Sequence, residues 1–196
     1  MNKFHTNYII TMKDIVREGD PILHQSTKDV ELPLSNEDKE TLICMMNFLK
    51  NSQDPEQAIK YKLRAGVGLS ANQIGLNKRM FVVYLLDEKG AKHEYTLINP
   101  KIVSHSVSMI YLPQSEGCLS VDRDVKGYVP RYARIKVKGF NIEGEEKAIK
   151  LSGYPSIVVQ HEIDHLNGIM FYDRINKENP FTLPENAKSL YDDSWE

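Results

Sequence analysis

One pentapeptide, His161-Glu162-Ile163-Asp164-His165, constrains this chain more than any other stretch. On an α-helix, residues four apart lie one turn apart on the same face, so His161 and His165 can share one metal ion. Glu162 then stands beside that ion, where a carboxylate can take protons from a water it activates. The flanking sequence predicts the helix. Pro155 suits a first helical turn, no proline follows through Asn167, and Gly168 suits a C-terminal stop.

Two histidines leave a hydrolytic site one ligand short, because such sites take three protein ligands and keep one position open. A third histidine at the metzincin spacing would fall on Phe171, which cannot ligate. The later glutamates Glu178, Glu185 and Glu196 lie among Pro180 and Pro184, poor ground for a rigid ligand-bearing helix. The better candidate is Cys118, in Glu116-Gly117-Cys118-Leu119-Ser120 between apolar runs. The other cysteine, Cys44, falls in the predicted helix Ser35 to Lys50. Ser35 and Asp38 form a capping signature there, and Leu42, Ile43, Met46 and Leu49 recur at helical spacing. Its expected role is a small core side chain.

A third cluster is Gly66-Val67-Gly68-Leu69-Ser70-Ala71-Asn72-Gln73. Two glycines around Val67 allow a close approach by another chain, and Gln73 carries an amide able to donate to an oxyanion. No Gly-Lys-Ser/Thr follows, so this is no phosphate loop.

In this order the three clusters resemble those of the peptide deformylase family, Gly-x-Gly-Leu-Ala-Ala-x-Gln, Glu-Gly-Cys-Leu-Ser and His-Glu-x-x-His. The resemblance extends to Arg17-Glu18-Gly19-Asp20-Pro21 and to Gly168 through Asp173, and so spans nearly the whole chain. The stretch Asn51 to Arg64 and the run Val121-Asp122-Arg123-Asp124 are similar to the longer second type of that family, found in Gram-positive bacteria and their wall-less relatives. Two positions depart from the pattern: Ser70 stands where alanine is usual and Asn72 where proline is common. Loss of the proline φ constraint predicts a less rigid Gln73.

The resemblance implies hydrolysis of the N-formyl group from the formyl-methionine of new polypeptides. It implies Cys118, His161 and His165 as ligands of one divalent ion, Fe(II) natively, with zinc, nickel or cobalt able to replace it in purified protein. Glu162 would be the acid–base, and Gln73 with the Leu119 N–H the oxyanion donors. Strand addition of the peptide would use the backbones of Gly66, Val67, Gly68 and Gly117. Val67, Tyr154, Ile157 and Val158 are candidates for a methionine pocket. Two rival classes stay in view. A zinc endopeptidase lacks its third-ligand pattern here, and a silent peptide-binding relative would be expected to have lost Glu162, Cys118 or Gln73.

At 196 residues, 41% hydrophobic and 27% charged, the chain is expected to form one globular domain over residues 1–196. A formal net charge of -2 gives no broad basic field of the kind nucleic-acid binders carry, so any ribosome contact would be local and transient. Polar residues interrupt Met1 to Ile10 where a signal peptide needs an apolar core, and the run Met80 to Leu86 is too short to span a bilayer. A reducing cytoplasm without membrane attachment is the expected setting.

The expected fold is α+β, with antiparallel sheets around a central metal-binding helix. Strands are predicted at Met80–Leu86, His93–Ile98, Ile102–Val107, Ile135–Phe140 and Lys147–Leu151, with short turns at Asp87-Glu88-Lys89-Gly90 and Asn141-Ile142-Glu143-Gly144. The tail from Lys177 is expected to be irregular, or to carry the short strand that the second family type implies. Arg123 and Arg131 read as surface residues or as guides for peptide carbonyls.

Overall fold

The computed structural model describes residues 3–195. Its first long helix, α1 (Asn36–Gln53), starts where Ser35 Oγ accepts from the Asp38 N–H, and the buried side of α1 carries Leu42, Cys44, Met45, Phe48 and Leu49. Cys44 is a core side chain, as its helical position predicts. A short helix α2 (Pro55–Tyr61) follows, opened by Asp54 as cap and Pro55 at its first turn.

Five strands then form one antiparallel sheet. They are β1 (Gly68–Ser70), β2 (Met80–Leu86), β3 (Lys92–His105), β6 (Arg134–Phe140) and β7 (Glu146–Ser152), in the order β1-β2-β3-β6-β7. Alternation along β2 sends Met80 and Val82 to one face, against α1, and Phe81, Val83 and Leu85 to the other. The second face receives α3 (Gly153–Leu166), the helix that carries His161 and His165. A smaller sheet of β4 (Met109–Tyr111), β5 (Arg131–Tyr132) and β8 (Ala187–Ser189), ordered β5-β4-β8, lies near the other side of α3, where Ile110, Leu190 and Trp195 pack with Ile157. Every α3 residue except Tyr154 is buried, so its polar side chains must find partners inside the protein.

Two expectations are corrected. The segments on either side of Pro100 are one strand, β3, rather than two. Pro100 sits in a register irregularity between Ile98 and Lys101, with Asn99 at φ +51°, so no ladder bond depends on the missing proline N–H. Residues 92–98 pair with β2, and from Ile98 onward the strand pairs with β6. The small sheet is mixed, since β4 and β8 run parallel. That pairing joins segments far apart in sequence, so no turn announces it. The first glycine cluster leads into strand β1 and a 3-10 turn (Ala71–Ile74). The tail does carry one short strand, β8. Among the described residues no helix is long and apolar enough to cross a membrane.

Candidate metal centre

Helix α3 ends as its sequence predicts, with Gly168 at φ +73° against the backbone of His24 and Gln25, where a Cβ would not fit. Its last two turns present His161 and His165 to the loop after β4, which carries Cys118. The ligand atoms of Cys118, His161 and His165 lie within 4.8 Å of one another, and Cys118 Sγ is 3.2 Å from His165 Nε2. Neither Glu178 nor Glu185 joins this cluster, and Glu196 lies outside the described residues.

The donor set fits a divalent cation. His161 Nδ1 faces Glu116 Oε2 at 2.8 Å, which fixes the tautomer and leaves Nε2 free for an ion. Burial works against the Cys118 thiolate, but the adjacent His165 and His161 and their hydrogen bonds outweigh it and hold this thiol well below its usual range. The sulfur is therefore a ligand-ready anion. Glu162 is buried, and its Oε2 meets no protein partner. Burial raises its pKa to about 7 against the lowering effect of the two imidazoles.

Beneath the ligands runs a buried ion network. Arg131 makes a fork to Glu116, Nε to Oε1 at 2.7 Å and Nη2 to Oε2 at 2.9 Å, and its Nη1 reaches Asp164, which Arg174 also holds. Burial alone would raise the Glu116 pKa, yet the charge and hydrogen bonds of Arg131, with His161, bring it to about 2. The surface reading of Arg131 is thus corrected, because this side chain is 2% exposed. Its link to Glu116 spans fifteen residues and left no local signal. Glu116 itself was visible as a motif member but not as the acceptor that orients His161. Arg123 is half-exposed, paired with Glu18 and lying over the Tyr172 ring.

The predicted loosening of Gln73 is also corrected. Gln73 Oε1 accepts from the Ser70 N–H at 3.0 Å and lies 3.1 Å from Ser70 Oγ. Asn72 Nδ2 donates to the His165 carbonyl at 2.6 Å. The two departures from the family pattern supply hydrogen bonds in place of a fixed φ, and they tie the 3-10 turn to the metal helix. Gln73 Nε2 is thereby turned toward Cys118 Sγ, at 3.4 Å.

A cavity of about 560 Å³ opens over the cluster. Gly66, Val67, Gly68 and Gln73 form part of its wall, Gly117, Cys118 and Leu119 another part, and Tyr154, Ile157, Val158, His161 and Glu162 a third. His165 stays behind this surface, fully buried. Leu112 and Arg64 also line it, and neither carried a sequence signal. On the β1 edge, Gly66 is already engaged, its N–H to Ser52 Oγ and its carbonyl from Gln53 Nε2. Of the backbones expected to meet a peptide, that of Gly66 thus has partners within the chain, whereas Gly68 lies at the next outward position. Val67 bonds with Tyr84 opposite it in β2, so the alternation of the ladder turns the Gly68 N–H and C=O outward.

Gly68 also faces Glu162, and a Cβ there would overlap the Glu162 carboxylate. Gly68→Ala is expected to lower kcat by roughly a hundredfold or more through displacement of that carboxylate, with metal content unchanged. Steady-state kinetics alongside metal analysis checks this, and an alanine variant of normal kcat would show that the close approach is unnecessary.

Fold and site together define a metallohydrolase built on a His-Glu-x-x-His helix. Residues 12–181 match the family model described as polypeptide deformylase. The chain is 58% identical over 182 residues to peptide deformylase 2 of Bacillus cereus, covering 93% of this chain and 99% of that one. It is 59% identical, with the same coverage, to peptide deformylase 2 of Bacillus subtilis. The crystal structure of peptide deformylase from Ehrlichia chaffeensis superposes with a TM-score of 0.72 at 30% identity, over 87% of this chain and 90% of that one. This chain belongs to the polypeptide deformylase family.

Proposed function

We propose that residues 1–196 act as one catalytic domain in which Cys118, His161 and His165 hold the ion used in this family's reaction. That reaction is hydrolysis of the N-formyl group from the formyl-methionine of newly synthesised polypeptides, with release of formate. The convergence of one thiolate and two imidazoles under an open cavity, beside an unpartnered buried carboxylate, carries the reading. A divalent cation held there would supply Lewis acidity and lower the pKa of water. Fe(II) is the native ion the family resemblance implies, and the same donors suit zinc, nickel or cobalt.

Glu162 accepts a proton from the attacking water and returns it to the departing amine, so one carboxylate serves both half-reactions. The Gln73 side-chain amide and the Leu119 N–H donate to the former formyl oxygen as its charge develops. The peptide lies along the β1 edge and bonds to Gly68, with the Gly117 backbone on its other side. Val67, Ile157, Val158 and Tyr154 form the apolar pocket for the methionine side chain. The substrates are N-formylmethionyl nascent peptides, met in the cytoplasm through a local, transient ribosome contact with no nucleic-acid specificity.

Formate release from formyl-Met-Ala by anaerobically Fe(II)-loaded protein, compared with metal-free protein and with acetyl-Met-Ala, tests this reading. Rapid release from the formyl peptide alone is expected, and silence at one-to-one metal content would overturn it. Gln73→Leu removes one oxyanion donor and is expected to lower kcat by about a hundredfold to a thousandfold with little change in KM. An effect confined to KM would assign Gln73 to substrate binding instead.

A further inference from the structure

The loop that follows Cys118 is held by two arginines that the roles above leave unused. Its carbonyls are engaged one after another. That of Cys118 accepts from Arg64 Nη2 and, at 3.2 Å, from the Val121 N–H. That of Leu119 accepts from Arg17 Nη1 at 2.7 Å, that of Ser120 from the Glu18 N–H at 2.9 Å, and that of Val121 from Arg64 Nη1 at 3.2 Å. Asp122 joins the two guanidiniums, 3.2 Å from Arg17 Nε and 3.2 Å from Arg64 Nη1. Meanwhile the Ser120 N–H turns to Cys118 Sγ at 3.4 Å.

The Cys118 carbonyl and the Leu119 N–H are opposite ends of one planar peptide unit, so a group that fixes the oxygen also fixes the direction of the hydrogen. A cationic donor on that oxygen draws electron density through the amide and makes its N–H a stronger donor. We infer that Arg64 is a positioning residue whose guanidinium, on the Cys118 carbonyl, aims and strengthens the Leu119 N–H toward the oxyanion. This rests on the reading of Leu119 as an oxyanion donor. Arg17 steadies the next peptide unit and Asp122 keeps the two arginines in register. The Cys118 carbonyl keeps its bond from Val121 when Arg64 is removed, whereas the Val121 carbonyl loses the Arg64 Nη1 donor.

Arg64 also lines the cavity, so a direct contact with substrate is the competing account. Arg64→Met and Arg64→Lys separate the two. In Fe(II)-loaded protein, Arg64→Met is expected to lower kcat roughly tenfold with KM held within about twofold, and Arg64→Lys to restore part of the loss. The second readout needs no turnover. In the zinc-loaded full chain, the amide nitrogen resonance of Leu119 should move upfield in Arg64→Met, further than that of any other residue from 116 to 124. A Leu119 resonance that stays in place, or a loss wholly in KM, would overturn the role of Arg64. If the resonance moves while kcat holds, the oxyanion role of Leu119 fails, whereas Gln73→Leu tests the rest of that reading separately.

Discussion

Glu162→Gln is expected to lower kcat by at least about a thousandfold while leaving metal content and peptide affinity close to those of the parent chain. The glutamine fills the same space between Gly68 and the ligand cluster but cannot carry a proton from water to amine. The same substitution should stabilise the metal-free protein at neutral pH. A carboxyl whose pKa rises from its ordinary 4.5 to about 7 in the fold binds more protons folded than unfolded between those values. Stability from this group is therefore full below pH 4.5 and falls as pH rises through 7, by about 3 kcal/mol at neutrality. Burial is the largest cause of that shift, and a bound cation would offset it. Thermal unfolding of the two metal-free proteins across pH 5 to 8 should show curves that diverge as pH rises. Parallel curves would mean that the buried carboxylate costs nothing, and a kcat within tenfold of the parent would remove Glu162 from proton transfer.

The second large effect is structural. Arg131→Met should destabilise the folded chain by about 3 to 5 kcal/mol, because it strips the main cationic partner from Glu116 and one of two from Asp164 inside the protein. For a chain of this length that corresponds to a fall in Tm of about 6 to 20 °C. Metal affinity should drop as well, by roughly tenfold to a hundredfold, since Glu116 orients His161 only while Arg131 keeps it ionised and in place. Pairing the change with Glu116→Gln should cost less than the sum of the two single changes, as expected of groups in one network. Urea unfolding and chelator competition on the zinc-loaded proteins measure both effects. An unchanged denaturation midpoint would show that the network contributes little.

Local pattern made much of this legible in advance. The His-Glu-x-x-His spacing, Pro155 and Gly168 placed helix α3, and elimination of the later glutamates left Cys118 as the third donor that the fold brings to it. Strand β2 matches its apolar run from Met80 to Leu86, and the β6–β7 hairpin follows its turn. What stayed hidden depends on contacts between distant segments. Arg131 looks like any surface cation until Glu116 and Asp164 close around it, and Pro100 looks like a strand breaker until a bulge takes it out of the ladder. Ser70 and Asn72 looked like losses of stiffness because their partners, Gln73 Oε1 and the His165 carbonyl, are a matter of folded geometry.

The shortness of β1 sets how firmly a passing chain can be gripped. Along its outward side, Gly66 is occupied by Ser52 and Gln53, and the Ser70 N–H by Gln73, so only Gly68 offers both of its main-chain groups between them. A longer open edge would template further pairing and invite aggregation. In the proposed binding mode, an edge one residue wide would hold a polypeptide by a couple of main-chain bonds that do not depend on sequence. Such a hold is brief, which suits a catalyst that must visit every new chain once and let each one go.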